Sequence, residues 1–203
     1  MFVNQSILKK LMKQAYKSNG LYMARYEGWY HLADQYRDWE VRIKVQAMPK
    51  TLLAAMVEYA GYIPEDGEAW TADKDKNQMA MTSRWLNYRA KEPIIKTPVI
   101  MQAERGWLYR VMQLPKEKTV LLVRHDLIEA IDPASIDRGN GEEMISGPFY
   151  VGTDGILAAT NFAEWHVVSR DVGKLSRISN LLEEGILRYD EDDEDNDGDE
   201  DYE

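Results

Sequence analysis

The chain has 203 residues, 44% of them hydrophobic and 30% charged, with a formal net charge of −10. These proportions exclude a wholly disordered chain, and no apolar run approaches the ~18–20 residues that span a bilayer. Zero cysteines exclude disulfides, thiolate metal sites and thiol catalysis. The lysine-bearing start lacks the apolar core of a signal peptide, so a cytoplasmic protein with no membrane partner is expected.

The negative charge is not spread evenly. Asp or Glu fill eleven of the fourteen positions 190–203, with no Lys or Arg among them. The preceding residues hold 24 acids and 25 bases, so the body of the chain is close to neutral. A block of like charge with little to bury reads as a disordered acidic tail. Asp190, Asp192, Asp193, Asp195 and Asp197 are its candidate partner-binding residues, set against the plainer reading of a solubilising tail. Residues 1–50 carry nine bases and four acids, and Lys9, Lys10, Lys13 and Lys17 precede the first acid.

In chain order, Asn4 or Ser6 caps a helix running to about Ser18. Ile7, Leu8, Leu11, Met12 and Ala15 form its apolar stripe, and Lys9, Lys13 and Lys17 line another face. Asn19-Gly20 stops it. Residues 20–26 and 29–33 read as a hairpin about Glu27-Gly28, and a third strand is expected over 39–46. Pro49 opens a second helix, Lys50–Ala60, closed by Gly61. Short extended pieces follow at Ala69–Ala72 and 78–88, with helix as the alternative for the latter. The second half predicts strands over 94–101, 107–114, 119–123 and 127–131, a surface loop over 137–143, and a further meander from 149–151, 156–159 and 165–169. A last helix over 172–184 leads into the tail. Residues 1–90 are therefore expected to form a helix–hairpin–strand–helix subdomain, 91–188 a β-rich subdomain with a C-terminal helix, and 189–203 the tail. The fold class is α+β: antiparallel β meanders with two or three packed helices.

One internal similarity stands out. Met23-Ala-Arg-Tyr-Glu-Gly-Trp29 parallels Met101-Gln-Ala-Glu-Arg-Gly-Trp107, with glycine before tryptophan in both. Either the two are repeats or two unrelated hairpins obey the same turn chemistry.

Familiar catalytic motifs are absent. There is no G-x-S-x-G elbow, no P-loop and no G-x-G-x-x-G. His31, His125 and His166 are far apart in sequence, and Asp73-Lys-Asp75 lies in a charged loop. His125-Asp126, on an expected strand, would point to opposite faces. Asp193-Glu-Asp-Asn-Asp-Gly198 matches the opening of a calcium loop, but the required twelfth-position glutamate would fall at residue 204. No catalytic residue, metal or cofactor is assigned, and a non-enzymatic protein is expected.

The most informative stretch is aromatic. Tyr22, Tyr26, Trp29, Tyr30, Tyr36 and Trp39 alternate with Arg25 and Arg37, and Arg42 and Lys44 follow. Nucleic-acid surfaces use this mixture because rings stack on bases while cations meet phosphates; a small sheet covering its core with large rings would look the same. The candidate nucleic-acid-binding residues are Lys9, Lys13, Lys17, Arg25, Trp29, Arg37, Arg42 and Lys44.

The order helix, hairpin, strand, helix over residues 4–61 resembles a half-domain of the DNA sliding clamps. The segment Leu11-Met-Lys-Gln-Ala-Tyr-Lys-Ser-Asn-Gly-Leu-Tyr-Met-Ala-Arg25 is similar in pattern to the first helix and strand of small phage clamps. The resemblance implies basic helices facing duplex phosphates, with Lys9, Lys13 and Lys17 placed to do so. The run from Pro49 to Gly61, followed by Ile63-Pro-Glu-Asp-Gly-Glu-Ala69, resembles uncharacterised prophage proteins of Gram-positive bacteria. The function expected is that of a phage-type accessory protein on or beside DNA machinery. Its partner is DNA or a nucleic-acid-binding host protein, and homo-oligomerisation is left open. The alternative is an anti-CRISPR-like inhibitor of a host defence nuclease, with the acidic tail imitating nucleic acid.

Overall fold

The computed structural model describes residues 3–36, 38–80, 92–103, 106–114, 120–131, 150–151, 155–159 and 163–168. Its helices are α1 (Gln5–Ser18), α2 (Lys50–Ala60) and the short α3 (His125–Ile128). Its strands are β1 (Leu21–Tyr26), β2 (Trp29–Asp34), β3 (Trp39–Lys44), β4 (Ala69–Ala72), β5 (Asn77–Met79), β6 (Glu92–Pro93), β7 (Ile95–Gln102), β8 (Leu108–Gln113), β9 (Val120–Arg124), β10 (Tyr150–Val151), β11 (Gly155–Ala159) and β12 (Ala163–Val168). The class is α+β with antiparallel sheets, as the sequence predicts.

Local chemistry sets the helix ends. The Asn4 carboxamide oxygen accepts hydrogen bonds from the amides of Ser6 and Ile7 at 3.1 and 3.3 Å, satisfying two of the donors a helix start leaves open. Pro49 precedes α2, and Gly61 ends it in a left-handed conformation with its amide donating to Val57. Tyr16 of α1 stacks on Tyr59 of α2 with ring centroids 5.2 Å apart.

Nine strands form one sheet in the order β5-β4-β1-β2-β3-β12-β11-β10-β6, and β7-β8-β9 form a second. Pleating sends Leu21, Met23, Leu32, Val41 and Trp165 to one face of the large sheet. These residues share a core with Leu8, Leu11 and Met12 of α1 and Leu52 and Met56 of α2. Met112 and Val123, from the inner face of the small sheet, join the same core. A bridge between Val3 and Ile131, with the Asn4 amide donating to Ala130 at 2.7 Å, ties the start of the chain to the end of α3. The β3–β12 ladder places strands from both sides of residue 90 in a single sheet.

Two expectations change. Residues 127–131 are not a strand: α3 and a turn occupy 125–130. Leu127, Ile128 and Ile131 recur at helical rather than alternate spacing and all three are buried, so core contact outweighs the β preference of the isoleucines. The third strand stops at Lys44, and 45–47 form a single 3-10 turn before Pro49. Among the described residues no helix is long and apolar enough to cross a membrane. The loop over 137–143, the helix over 172–184, most of the piece at 78–88 and the tail lie outside the described residues.

Candidate nucleic-acid interface

The buried side of α1 is Leu8, Leu11, Met12 and Ala15. At about 100° per residue, Lys10, Lys13 and Lys17 then fall within an arc of about 60° on the opposite side. All three are exposed, while Lys9 sits on the flank and is half-buried. The outward row is therefore Lys10, Lys13 and Lys17 rather than Lys9, Lys13 and Lys17. Lys10 was legible in the helical wheel, because it lies farther from the apolar stripe than Lys9. The helix contains no acid, and among the described residues none of these lysines makes an ion pair. The row extends about 10 Å along the axis.

The second cluster lies on the far face of the large sheet. Glu27 and Gly28 both have positive φ, 51° and 79°, the pair of conformations that closes a two-residue hairpin compatible with strand twist. That turn starts β2 at Trp29. The register sets Trp29 opposite Lys44 and His31 opposite Arg42. The Arg42 guanidinium lies 4.7 Å from the Trp29 ring centroid and the Lys44 ammonium 5.3 Å, so one ring holds two cations. Tyr26, paired with Trp29 and 44% exposed, extends the surface.

Along β3 the same face continues to Glu40, which is buried, as is His31. On β12 the register places Glu164 opposite Arg42 and His166 opposite Glu40. Among the described residues no group of three His, Asp or Glu is arranged to hold a metal.

The remaining candidates separate. Arg25 belongs to the opposite face: it pairs with Tyr30, and its guanidinium lies 5.7 Å from that ring on the helix-covered side. Arg37 and the acidic residues Asp190, Asp192, Asp193, Asp195 and Asp197 lie outside the described residues. The α1 lysines point away from the sheet on one side and Trp29, Arg42 and Lys44 project from the other. They are two basic surfaces, not one.

A third charged cluster, not anticipated from the sequence, joins the small sheet to α3. The Glu129 carboxylate oxygen Oε1 lies 2.8 Å from Lys96 Nζ, 3.5 Å from Arg110 and 3.9 Å from His125. Arg110 is nearly buried and donates to the Thr97 carbonyl at 3.0 Å. Burial pushes the Glu129 carboxyl up, but the Lys96 hydrogen bond and the charges of Lys96, His125 and Arg110 together hold it below its ordinary value. This is the geometry of a structural ion-pair network. His125 and Asp126 do not act as a pair: Asp126 holds Arg124 at 2.6 Å instead.

Comparison with family models, with curated proteins and with solved structures finds no match.

Proposed function

We propose that the chain is a non-enzymatic accessory protein of phage type that engages duplex DNA through the outward face of α1, in the manner of a clamp. The observation that supports this reading is the row Lys10, Lys13 and Lys17. These three exposed cations stand on a rigidly packed helix that contains no acid. Their span of about 10 Å corresponds to roughly three phosphates along one strand of a duplex. A helix face of this kind contacts the phosphate backbone without reading bases, which is what a factor that must slide or encircle requires.

The test is a titration of labelled duplex at several salt concentrations. Three phosphate contacts give a slope of log affinity against log salt of about −2.7. Replacing Lys10, Lys13 and Lys17 together with alanine abolishes the salt-dependent part. Flat curves at low salt, for the full chain and for the chain lacking 190–203 alike, overturn the reading.

The second reading rests on the eleven acids of 190–203. There the tail occupies the basic groove of a host nucleic-acid-binding protein. Deleting 190–203 separates the two readings. A DNA binder gains affinity when its own polyanion is removed, whereas a mimic loses potency.

A further inference from the structure

The Trp29 corner has a counterpart in the second meander. Gly28 and Gly106 both have φ of +79°, and each directly precedes a tryptophan: Trp29 is the first residue of β2, and Trp107 comes one residue before β8. In the first unit Arg42 stands opposite His31, two residues beyond Trp29. In the second, Arg124 stands opposite Tyr109, two residues beyond Trp107. The diagonal arginine lies over the ring in both, at 4.7 Å for Arg42 on Trp29 and 5.1 Å for Arg124 on Trp107. Behind each corner the opposite face enters the core, through Leu32 and Val41 in one and Met112 and Val123 in the other.

The likeness begins at the glycine. Met23 is buried in the core, whereas Met101 pairs with Tyr109 on the outer face. Two residues separate β1 from β2 and five separate β7 from β8, and an odd change in spacing reverses which side a strand residue faces.

Trp107 is 44% exposed, whereas Leu108 and Ile100, at 44% and 43%, belong with Arg110 to the opposite face of the sheet. A ring of that size is left open at a hairpin tip although the core lies on the other side of the same sheet. Asp126 Oδ1 holds Arg124 Nε at 2.6 Å, which fixes the guanidinium plane over the indole. The second corner is therefore an aromatic and guanidinium platform with its charge balanced. Such a platform suits a flat, uncharged base more than a phosphate.

We propose that Trp107 and Arg124 form a stacking site for an unpaired base of single-stranded nucleic acid, repeating the ring-and-guanidinium arrangement of the Trp29–Arg42 corner. This extends the nucleic-acid reading above to single strands and does not use the α1 lysines.

The experiment titrates the full chain with a labelled oligothymidylate of about 12 nucleotides, within the usual site size of one single-strand-binding module. Trp107→Ala weakens binding about tenfold, the effect of losing one base–ring stack, and Trp107→Phe restores most of it. Arg124→Ala weakens binding, and Asp126→Asn tightens it by removing a negative charge beside the strand. Absence of oligothymidylate binding by the wild-type chain overturns the proposal. So does equal affinity in the wild type and Trp107→Ala, or equal loss in the alanine and phenylalanine variants. If Trp107→Ala does not fold, the phenylalanine, Arg124 and Asp126 variants decide. The Lys10, Lys13 and Lys17 triple variant distinguishes the two readings. Loss of duplex binding with an unchanged Trp107 effect supports both. A duplex that never binds removes the α1 reading and leaves this one standing, and a silent Trp107 does the reverse.

Discussion

Trp165 stacks on Trp39 with ring centroids 5.7 Å apart and planes inclined by 13°. The two rings belong to β12 and β3, the ladder by which strands from the second half of the chain extend the sheet begun by the first. Both are buried, and Trp165 is among the largest fully buried side chains. The join between the halves is thus an apolar stack as well as a row of backbone hydrogen bonds.

Trp165→Ala therefore destabilises the protein by about 3–5 kcal/mol, because the large cavity it leaves is lined by core residues that collapse only in part. Trp165→Phe costs less, since it keeps most of the ring contact. Urea denaturation read by circular dichroism gives both values. A loss under 1 kcal/mol for the alanine variant would show that the β3–β12 seam does not hold the core together.

The lysines of α1 are not equivalent. Single alanine substitutions at Lys10, Lys13 and Lys17 each lower the salt slope of duplex binding by about 0.9, and Lys9→Ala lowers it less because that side chain lies on the flank of the helix. None of the four alters folding stability by more than about 0.5 kcal/mol, since none reaches the core. If Lys9 ranks above Lys10, the outward row has been misassigned.

Asp34 is buried on the core-facing side of β2, where its Oδ1 accepts the Trp39 amide at 3.1 Å. Burial raises its carboxyl above the ordinary value of 3.8, against the lowering effect of backbone hydrogen bonds from Trp39 and its neighbours. The folded protein then holds this proton more tightly than the unfolded chain. Its contribution is most favourable below the unfolded value and is lost as pH rises through the folded one. Asp34→Asn keeps the accepting oxygen without the charge, so at neutral pH it is at least as stable as the wild type and its stability varies less across the acidic range. Asp34→Ala leaves the Trp39 amide unpartnered and costs about 1–3 kcal/mol. Denaturation midpoints measured from acid to neutral pH test the sign.

Glu129 has the opposite slope. Its folded value is lowered, so its stabilisation is present above the unfolded value near 4.5 and disappears as pH falls through the folded value. Glu129→Gln weakens the protein at neutral pH and matches the wild type in acid. The side chain is 40% exposed, so the loss stays below about 1 kcal/mol. Parallel pH profiles for the wild type and the glutamine variant would show that Lys96 and Arg110 do not depend on this carboxylate.

How much was legible in the sequence varies along the chain. The two long helices were readable because their signals are local: Asn4 as cap, Pro49 before α2, Gly61 after it, and apolar residues at spacings of three and four. The first hairpin was readable for the same reason, from Glu27-Gly28 between alternating aromatics. α3 was not. Leu127, Ile128 and Ile131 look like a strand until the core against which they pack is known.

The basic helix face and the mixture of rings and cations are properties of sequence, because composition and periodicity put Lys10, Lys13, Lys17, Trp29, Arg42 and Lys44 there. Their grouping is not. Pairing across strands joined Arg42 to Trp29, sent Arg25 to the other face, and made Arg124 the counterpart of Arg42. Backbone periodicity is fixed by neighbours in sequence, whereas register and strand order arise from long-range burial. For that reason the sequence determined which chemistry is available, and the tertiary structure alone decided which residues share it.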